Sequence, residues 1–244
     1  MTGNPTLSPK TFTEAGRVMP GEAMTVQGTV NKTAVLLLLT TISASYTWQL
    51  FWKGEGASAS LWIAGGMIGG LIMALITCFK KEWAGVTAPV YAVFEGLMIG
   101  GISSIFEQRF PGIVIQAVML TFGTLAALLA AYTMGFIRAT NGFRRGVFAA
   151  TGGIALLYVV SMVLSLFHIH IPGIFGSGPV GILFSVAVVI IAAMNLVLDF
   201  DFIESGAQQG APKYMEWYGA FSLMVTLIWL YMEILRLLSK LNRR

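Results

Sequence analysis

Seven long apolar stretches, separated by short polar breaks, fill most of the chain after residue 32. They run over residues 33–52, 58–79, 83–105, 112–136, 146–167, 179–198 and 215–238. A bilayer core about 30 Å thick needs about 20 apolar residues per helix, and most of the stretches reach that length. Lipid offers the backbone no hydrogen-bond partner, so a spanning segment must satisfy its own amides as a helix. We therefore predict an all-α membrane protein with about seven transmembrane helices.

The start of the chain differs from the remainder. Residues 1–32 are polar and contain Pro5, Pro9 and Pro20, which is typical of a disordered tail. The apolar stretches then use almost all of residues 33–240, which predicts one transmembrane domain. Only 11% of the residues are charged, against about 25% in an average soluble domain. The sequence has no basic stripe with interleaved aromatic residues, the pattern typical of nucleic-acid binding. The first partner that we expect is therefore the lipid bilayer.

Lysine and arginine predict the orientation, because cytoplasmic loops carry an excess of both. The loops on one side hold only Lys53 and Arg109. The tail and the remaining loops hold Lys10, Arg17, Lys32, Lys80, Lys81, Arg138, Arg144, Arg145 and Lys213. This bias predicts a cytoplasmic N-terminus. With seven full spans a C-terminal basic cluster would lie outside, so a re-entrant last segment is the alternative; the cluster comprises Arg236, Lys240, Arg243 and Arg244.

Ionisable residues inside the predicted spans are candidates for function, because a charge in hydrocarbon is costly. The carboxylates inside the predicted spans or at their ends are Glu95, Asp199, Asp201, Glu216 and Glu233. Asn195 and Asp199 lie four residues apart and share a helix face, whereas Asp201 lies about 200° away from Asp199. Glu95 falls near the middle of the third stretch and is expected to face the helix bundle.

Basic partners for these acids are few. Lys80 and Lys81 end the second stretch, on the same predicted side of the membrane as the aspartates. Arg236 follows Glu233 by three residues and can pair with it along one helix. For the acids at span ends a solvated helix terminus is the alternative interpretation; these acids are Asp201, Glu204 and Glu216.

Catalytic patterns are weak, and we expect no enzyme and no cofactor. His168 and His170 have no cysteine or carboxylate beside them, and Ser177 lies between two glycines in a turn pattern. A retinal protein needs a lysine in the middle of its last helix, and the last stretch has none there. The single Cys78 excludes an internal disulfide. Metal ligation stays open.

Several segments resemble a bacterial branch of the transmembrane Bax inhibitor motif family. The likeness covers nearly all of the chain after about residue 20 and is carried by Glu22–Thr33, Phe94–Gly96, Asn195–Glu204, Tyr214–Tyr218 and Leu230–Arg236. The resemblance implies a fold in which six helices surround the last one. It also implies a pH-sensitive calcium leak, gated by an acidic pair on the sixth and seventh helices.

The resemblance assigns roles to particular residues. Asp199 matches the sixth-helix acid, and Lys80 or Lys81 matches a basic latch that holds it. Glu233 and Glu216 each match part of the context of the seventh-helix acid, where the family usually has aspartate. Both are glutamates, and they lie 17 residues apart, or about 25 Å along a helix. The seventh-helix partner of Asp199 therefore stays open between them.

These observations lead to one function and two alternatives. The leading hypothesis is a passive cation pathway in a bacterial cytoplasmic membrane. The family resemblance implies Ca²⁺ as the permeant ion, and carboxylate and carbonyl oxygens suit such a hard cation. One alternative is a regulator that binds a membrane protease or another membrane protein through the polar tail. The other is a proton-coupled transporter of small solutes.

Overall fold

Seven long helices account for most of the residues that the computed structural model describes, which are residues 23–167, 174 and 176–243. All seven are long and apolar enough to cross a membrane, which identifies an integral membrane protein and confirms the predicted fold class. The helices are α1 Val26–Trp52, α2 Gly56–Phe79, α3 Ala84–Arg109, α4 Ile113–Thr133, α5 Asn141–Leu166, α6 Pro179–Gln208 and α7 Met215–Leu241. A short 3₁₀ helix, Lys81–Trp83, precedes α3.

The first helix starts earlier than its apolar stretch. The Thr25 hydroxyl caps α1 by accepting a hydrogen bond from the Gly28 amide at 2.9 Å, so helix begins at Val26. Residues 26–32, expected to belong to a disordered tail, are thus helical. Residues 1–22 of that tail lie outside the described residues.

Two other helices also extend beyond their apolar stretches. The Thr140 side chain caps α5, so this helix begins at Asn141 rather than at residue 146. Helix α6 continues through its acidic segment to Gln208, whereas the apolar stretch predicted from hydropathy ends at residue 198. Hydropathy marks the part of a helix that suits hydrocarbon, but backbone hydrogen bonds continue into polar sequence.

The described residues form two compact units. One comprises the described parts of 112–201 and 226–243, and the other comprises 23–111 and 202–225. Both α6 and α7 therefore contribute to each unit. In the second unit α3 packs against both α1 and α2.

Glycines allow these helices to approach closely. A side chain added at Gly96 would collide with Thr40 and Ser43 of α1, and one at Gly66 would lie 2.5 Å from the Phe94 carbonyl oxygen of α3. Small residues permit such contacts where lipid supplies no hydrophobic drive for helix association. By contrast, a side chain added at Gly65 would meet no atom within 4 Å, so this glycine makes no close helix contact among the described residues.

The last helix is the most buried of the seven described. Of its most apolar window, 61% is buried, whereas the other six range from 11% to 44%. Its 27 residues correspond to about 40 Å, enough for a full span, which favours seven crossings over a re-entrant last segment.

Candidate functional site

The acidic part of α6 separates into one buried aspartate and one ion-paired aspartate. Asp199 is only 1% exposed, and Asn195 on the same face is also buried. The Asn195 amide nitrogen donates to the Thr151 hydroxyl of α5 and to the Ile191 carbonyl, each at 2.8 Å. Asp201 accepts a hydrogen bond at 2.6 Å from the Arg144 guanidinium. Because it is ion-paired, Asp201 is not simply a solvated helix end.

Glu216, at the start of α7, is fully buried and engaged by polar groups. Its Oε1 accepts hydrogen bonds from the Thr25 amide at 2.9 Å and from the Thr25 hydroxyl at 3.0 Å. The Lys32 ammonium forms an ion pair with its other oxygen, and Lys213 lies 3.4 Å from Oε1. Glu216 thus fastens the start of α1 to the start of α7, and its interpretation as a solvated terminus is wrong.

Glu233 pairs locally, as its spacing from Arg236 predicts. Its carboxylate, 2% exposed, accepts hydrogen bonds from Arg236 Nη1 at 2.9 and 3.1 Å and from the Tyr158 hydroxyl of α5 at 2.8 Å. Arg236 also donates to the Tyr158 oxygen at 2.8 Å. The charge of Glu233 is therefore balanced by a cation on its own helix.

Glu95 differs from the other acids in having no ion pair among the described residues. It shares a hydrogen bond with the Tyr91 hydroxyl one turn earlier in α3. Its Oε1 would lie 3.0 Å from a methyl group placed at Gly70 of α2, so the side chain points between two helices rather than into lipid. Its Oε2 is buried, and the described residues supply it with no hydrogen-bond partner.

The lysines that end α2 have different environments. Lys80 is exposed, whereas the Lys81 ammonium lies 5.9 Å from the centre of the Tyr218 ring of α7. Tyr214, which precedes α7, is partly buried near Glu82; burial first, and the Glu82 carboxylate second, raise the pKa of its phenol. A latch from Lys80 or Lys81 to Asp199 stays a prediction.

The part of the chain that the structure describes contains no cluster of side chains that could form a metal site. No group of three or more histidine, cysteine, aspartate or glutamate side chains is close enough there to hold an ion. His168 and His170 lie outside the described residues.

Comparison with known families identifies the chain. A family model described as Bax inhibitor 1 like matches residues 4–243, which is essentially the whole sequence. This chain belongs to the Bax inhibitor 1 like family. No curated protein and no solved structure matches it. The family assignment therefore rests on the match to the family model, and the resemblance expected from the sequence motifs is confirmed.

Two basic residues of this Bax inhibitor 1 like protein were not expected to be structural partners. The charge pattern accounts for Arg144 only as part of the positive loops on one side of the membrane, yet Arg144 binds Asp201. Lys240 belongs to the C-terminal basic cluster, yet it is buried. Its ammonium donates to the Gly181 carbonyl at 2.9 Å and to the Ser185 hydroxyl at 2.8 Å. It also donates to the Ile174 carbonyl at 3.2 Å. No local pattern identifies either contact, because Arg144 precedes the stretch predicted from residue 146 and Lys240 follows the stretch that ends at residue 238.

Proposed function

We propose that this protein is a pH-sensitive passive leak for cations, with Ca²⁺ as the principal permeant ion, in a bacterial cytoplasmic membrane. Membership of the Bax inhibitor 1 like family and seven apolar helices support a membrane function of this kind. Carboxylates on those helices supply oxygen ligands, which hard cations such as Ca²⁺ prefer.

The burial of Asp199 is the observation that carries the proposal. A carboxylate enclosed within apolar helices must be protonated, paired, or in contact with water or a cation. Its protonation state is therefore coupled to the arrangement of the helices around it, and a change of pH can shift an equilibrium between a closed and an open form. Asp199 is 1% exposed and lies in the segment Asn195–Glu204, which carries the family resemblance.

The partner acid on α7 is constrained by distance along that helix. Glu216 and Glu233 are 17 residues apart, or about 25 Å, so at most one of them lies at the depth of Asp199. Each is already bound to a cation, Glu216 to Lys32 and Glu233 to Arg236. Protonation of either acid would release a lysine or arginine, which gives a second way for protons to act on the helices.

The test is calcium flux through the purified protein in liposomes that contain a trapped calcium dye, measured at several pH values. Asp199→Asn removes the titratable group while it keeps the shape of the side chain. We expect this variant to flatten the pH dependence of the flux. Glu204→Gln is the matched control, because Glu204 lies on the same helix but is exposed, and it should keep the wild-type profile.

Two outcomes would contradict the proposal. A pH profile of Asp199→Asn that overlays the wild type would show that Asp199 does not gate the flux. The second outcome has two parts: the wild type carries no calcium flux, and deletion of residues 1–22 abolishes the effect of the protein in cells. Together they would favour the regulator that acts through its tail.

A further inference from the structure

The ion pair between Arg144 and Asp201 connects two helices next to the proposed gate. Arg144 lies in the first turn of α5, and Asp201 lies near the end of α6, 57 residues later in the chain. The Arg144 Nη2 and the Asp201 Oδ2 are 2.6 Å apart, a short distance for a charge-assisted hydrogen bond. Their side chains are 29% and 21% exposed, so the pair is only partly screened by solvent.

The Arg144 side chain is also held from its other side. Its Nε donates to the Ala139 carbonyl at 2.9 Å, in the turn that precedes α5. A guanidinium fixed at two points loses less conformational freedom when it binds the carboxylate, which strengthens an ion pair at the surface. The position of Asp201 is therefore tied to the turn between α4 and α5 as well as to α5 itself.

Helix stability does not explain why an arginine occupies this position. Amides at a helix N-terminus carry partial positive charge, so a cation in the first turn is unfavourable there. The neighbouring Arg145 is exposed and supplies the same positive charge to this side of the membrane. What distinguishes Arg144 from Arg145 is its contact with Asp201.

A second contact fastens the same two helices farther into the membrane. Thr151 lies seven residues after Arg144, two turns along the same face of α5, and its hydroxyl accepts from Asn195 of α6 at 2.8 Å. Along α6, Asn195 and Asp201 are six residues or about 9 Å apart. This is close to the distance of about 10.5 Å that separates their partners, Thr151 and Arg144, along α5. Asp199 thus lies between two fastenings of α6 to α5.

We infer that the Arg144–Asp201 pair is a latch that holds the acidic segment of α6 against α5 and thereby sets the resting level of the leak. The inference rests on the proposed function, because the latch acts on the segment that contains Asp199. It assigns the holding of α6 to an arginine of the fifth helix and to the second aspartate of the segment. Asp199 then determines how the flux depends on pH, and the latch determines how large the flux is at a given pH.

The test exchanges the two charges. Arg144→Asp and Asp201→Arg each place two like charges in contact, and the double variant restores an ion pair in reversed order. At one mildly alkaline pH, each single variant should raise the calcium leak in liposomes by roughly two- to fivefold, the range expected from loss of a partly exposed ion pair. The double variant should return the leak toward the wild-type level. Arg145→Asp is the matched control and should leave the leak unchanged.

Thermal unfolding of each variant in detergent separates a latch from a mere structural tie. Asp201→Asn, which removes the charge without repulsion, should fold and still raise the leak. A loss of thermal stability that the charge exchange repairs, without any change of leak in the folded variants, would overturn the latch. Unchanged leak in both single variants would overturn it as well, while an absence of flux through the wild type would contradict the proposed function itself.

Discussion

At the scale of single residues, the buried carboxylate of Glu216 has room only because residue 28 is a glycine. A methyl group at Gly28 would occupy the space of that carboxylate. The carboxylate has little freedom to move away, because Thr25 and Lys32 hold its two oxygens. Gly28 is therefore required by a contact 188 residues away in sequence, and helix propensity alone would favour alanine there.

Gly28→Ala should destabilise the protein. Alanine adds about 1 kcal/mol of helix propensity, whereas overpacking costs about 1–3 kcal/mol and also disturbs the buried ion pair. The thermal unfolding midpoint in detergent, followed by circular dichroism, should fall. Gly65→Ala is the control, because Gly65 lies in a helix and faces open space, so its midpoint should stay level or rise. A Gly28→Ala midpoint equal to that of Gly65→Ala would refute this account of the contact.

At the scale of helices, several fastenings depend on polar side chains near helix ends. Thr25 and Thr140 start α1 and α5, Arg144 joins α5 to α6, and Lys240 joins the end of α7 to the first residues of α6. A buried ammonium is costly unless its hydrogen bonds are satisfied. Lys240 reaches three oxygen acceptors, one for each of its donors, and these acceptors are neutral rather than anionic.

Lys240→Met should loosen the beginning of α6. Methionine keeps the apolar stem but leaves the Gly181 carbonyl and the Ser185 hydroxyl without their donor, a loss of about 1–3 kcal/mol for buried polar groups. Hydrogen exchange of the amides in the first two turns of α6 should become faster. Arg243→Met, at an exposed position on the same end of the chain, should leave that exchange unchanged. Equal protection in both variants would show that Lys240 does not fasten α6.

At the scale of the whole molecule, charge placement and span number determine the orientation. The C-terminal basic cluster opposes the orientation that the loops predict. Two of its members are engaged within the structure, since Arg236 binds Glu233 and Lys240 binds α6. These contacts reduce the exposed positive charge at the C-terminal end. The nine-to-two distribution of the other lysines and arginines between the two sides therefore still predicts the orientation.

Seven full spans and a cytoplasmic N-terminus predict that the two ends of the chain lie on opposite sides of the membrane. Reporter domains that are active only in one compartment, fused ahead of Ala23 and after Arg243, should report the cytoplasm and the outside respectively. The control is the same pair of fusions on a variant that lacks α7, which should report the cytoplasm twice. Two cytoplasmic reports from the full chain would mean that α7 does not cross.

The local pattern of apolar and polar residues was sufficient to predict the helices of this protein. A run of about 20 apolar residues cannot satisfy its backbone in lipid except as a helix, so the number of helices, their approximate positions and the family resemblance were all readable from the chain. The pairing of Glu233 with Arg236 was also readable, because both residues lie within one turn of one helix. The cost of a charge in hydrocarbon predicted that Glu95 faces the helix bundle, and its carboxylate lies near Gly70 of α2.

Contacts between residues distant in sequence were decided only by the tertiary structure. Thr25 and Glu216 are separated by 191 positions, Arg144 and Asp201 by 57, and Gly181 and Lys240 by 59. Hydropathy treats each of these residues as one more polar group at a helix end, whether it is solvated or buried. Its burial and its partner depend on which helices pack together, and that arrangement is determined by side-chain fit over the whole bundle rather than by any local run of residues.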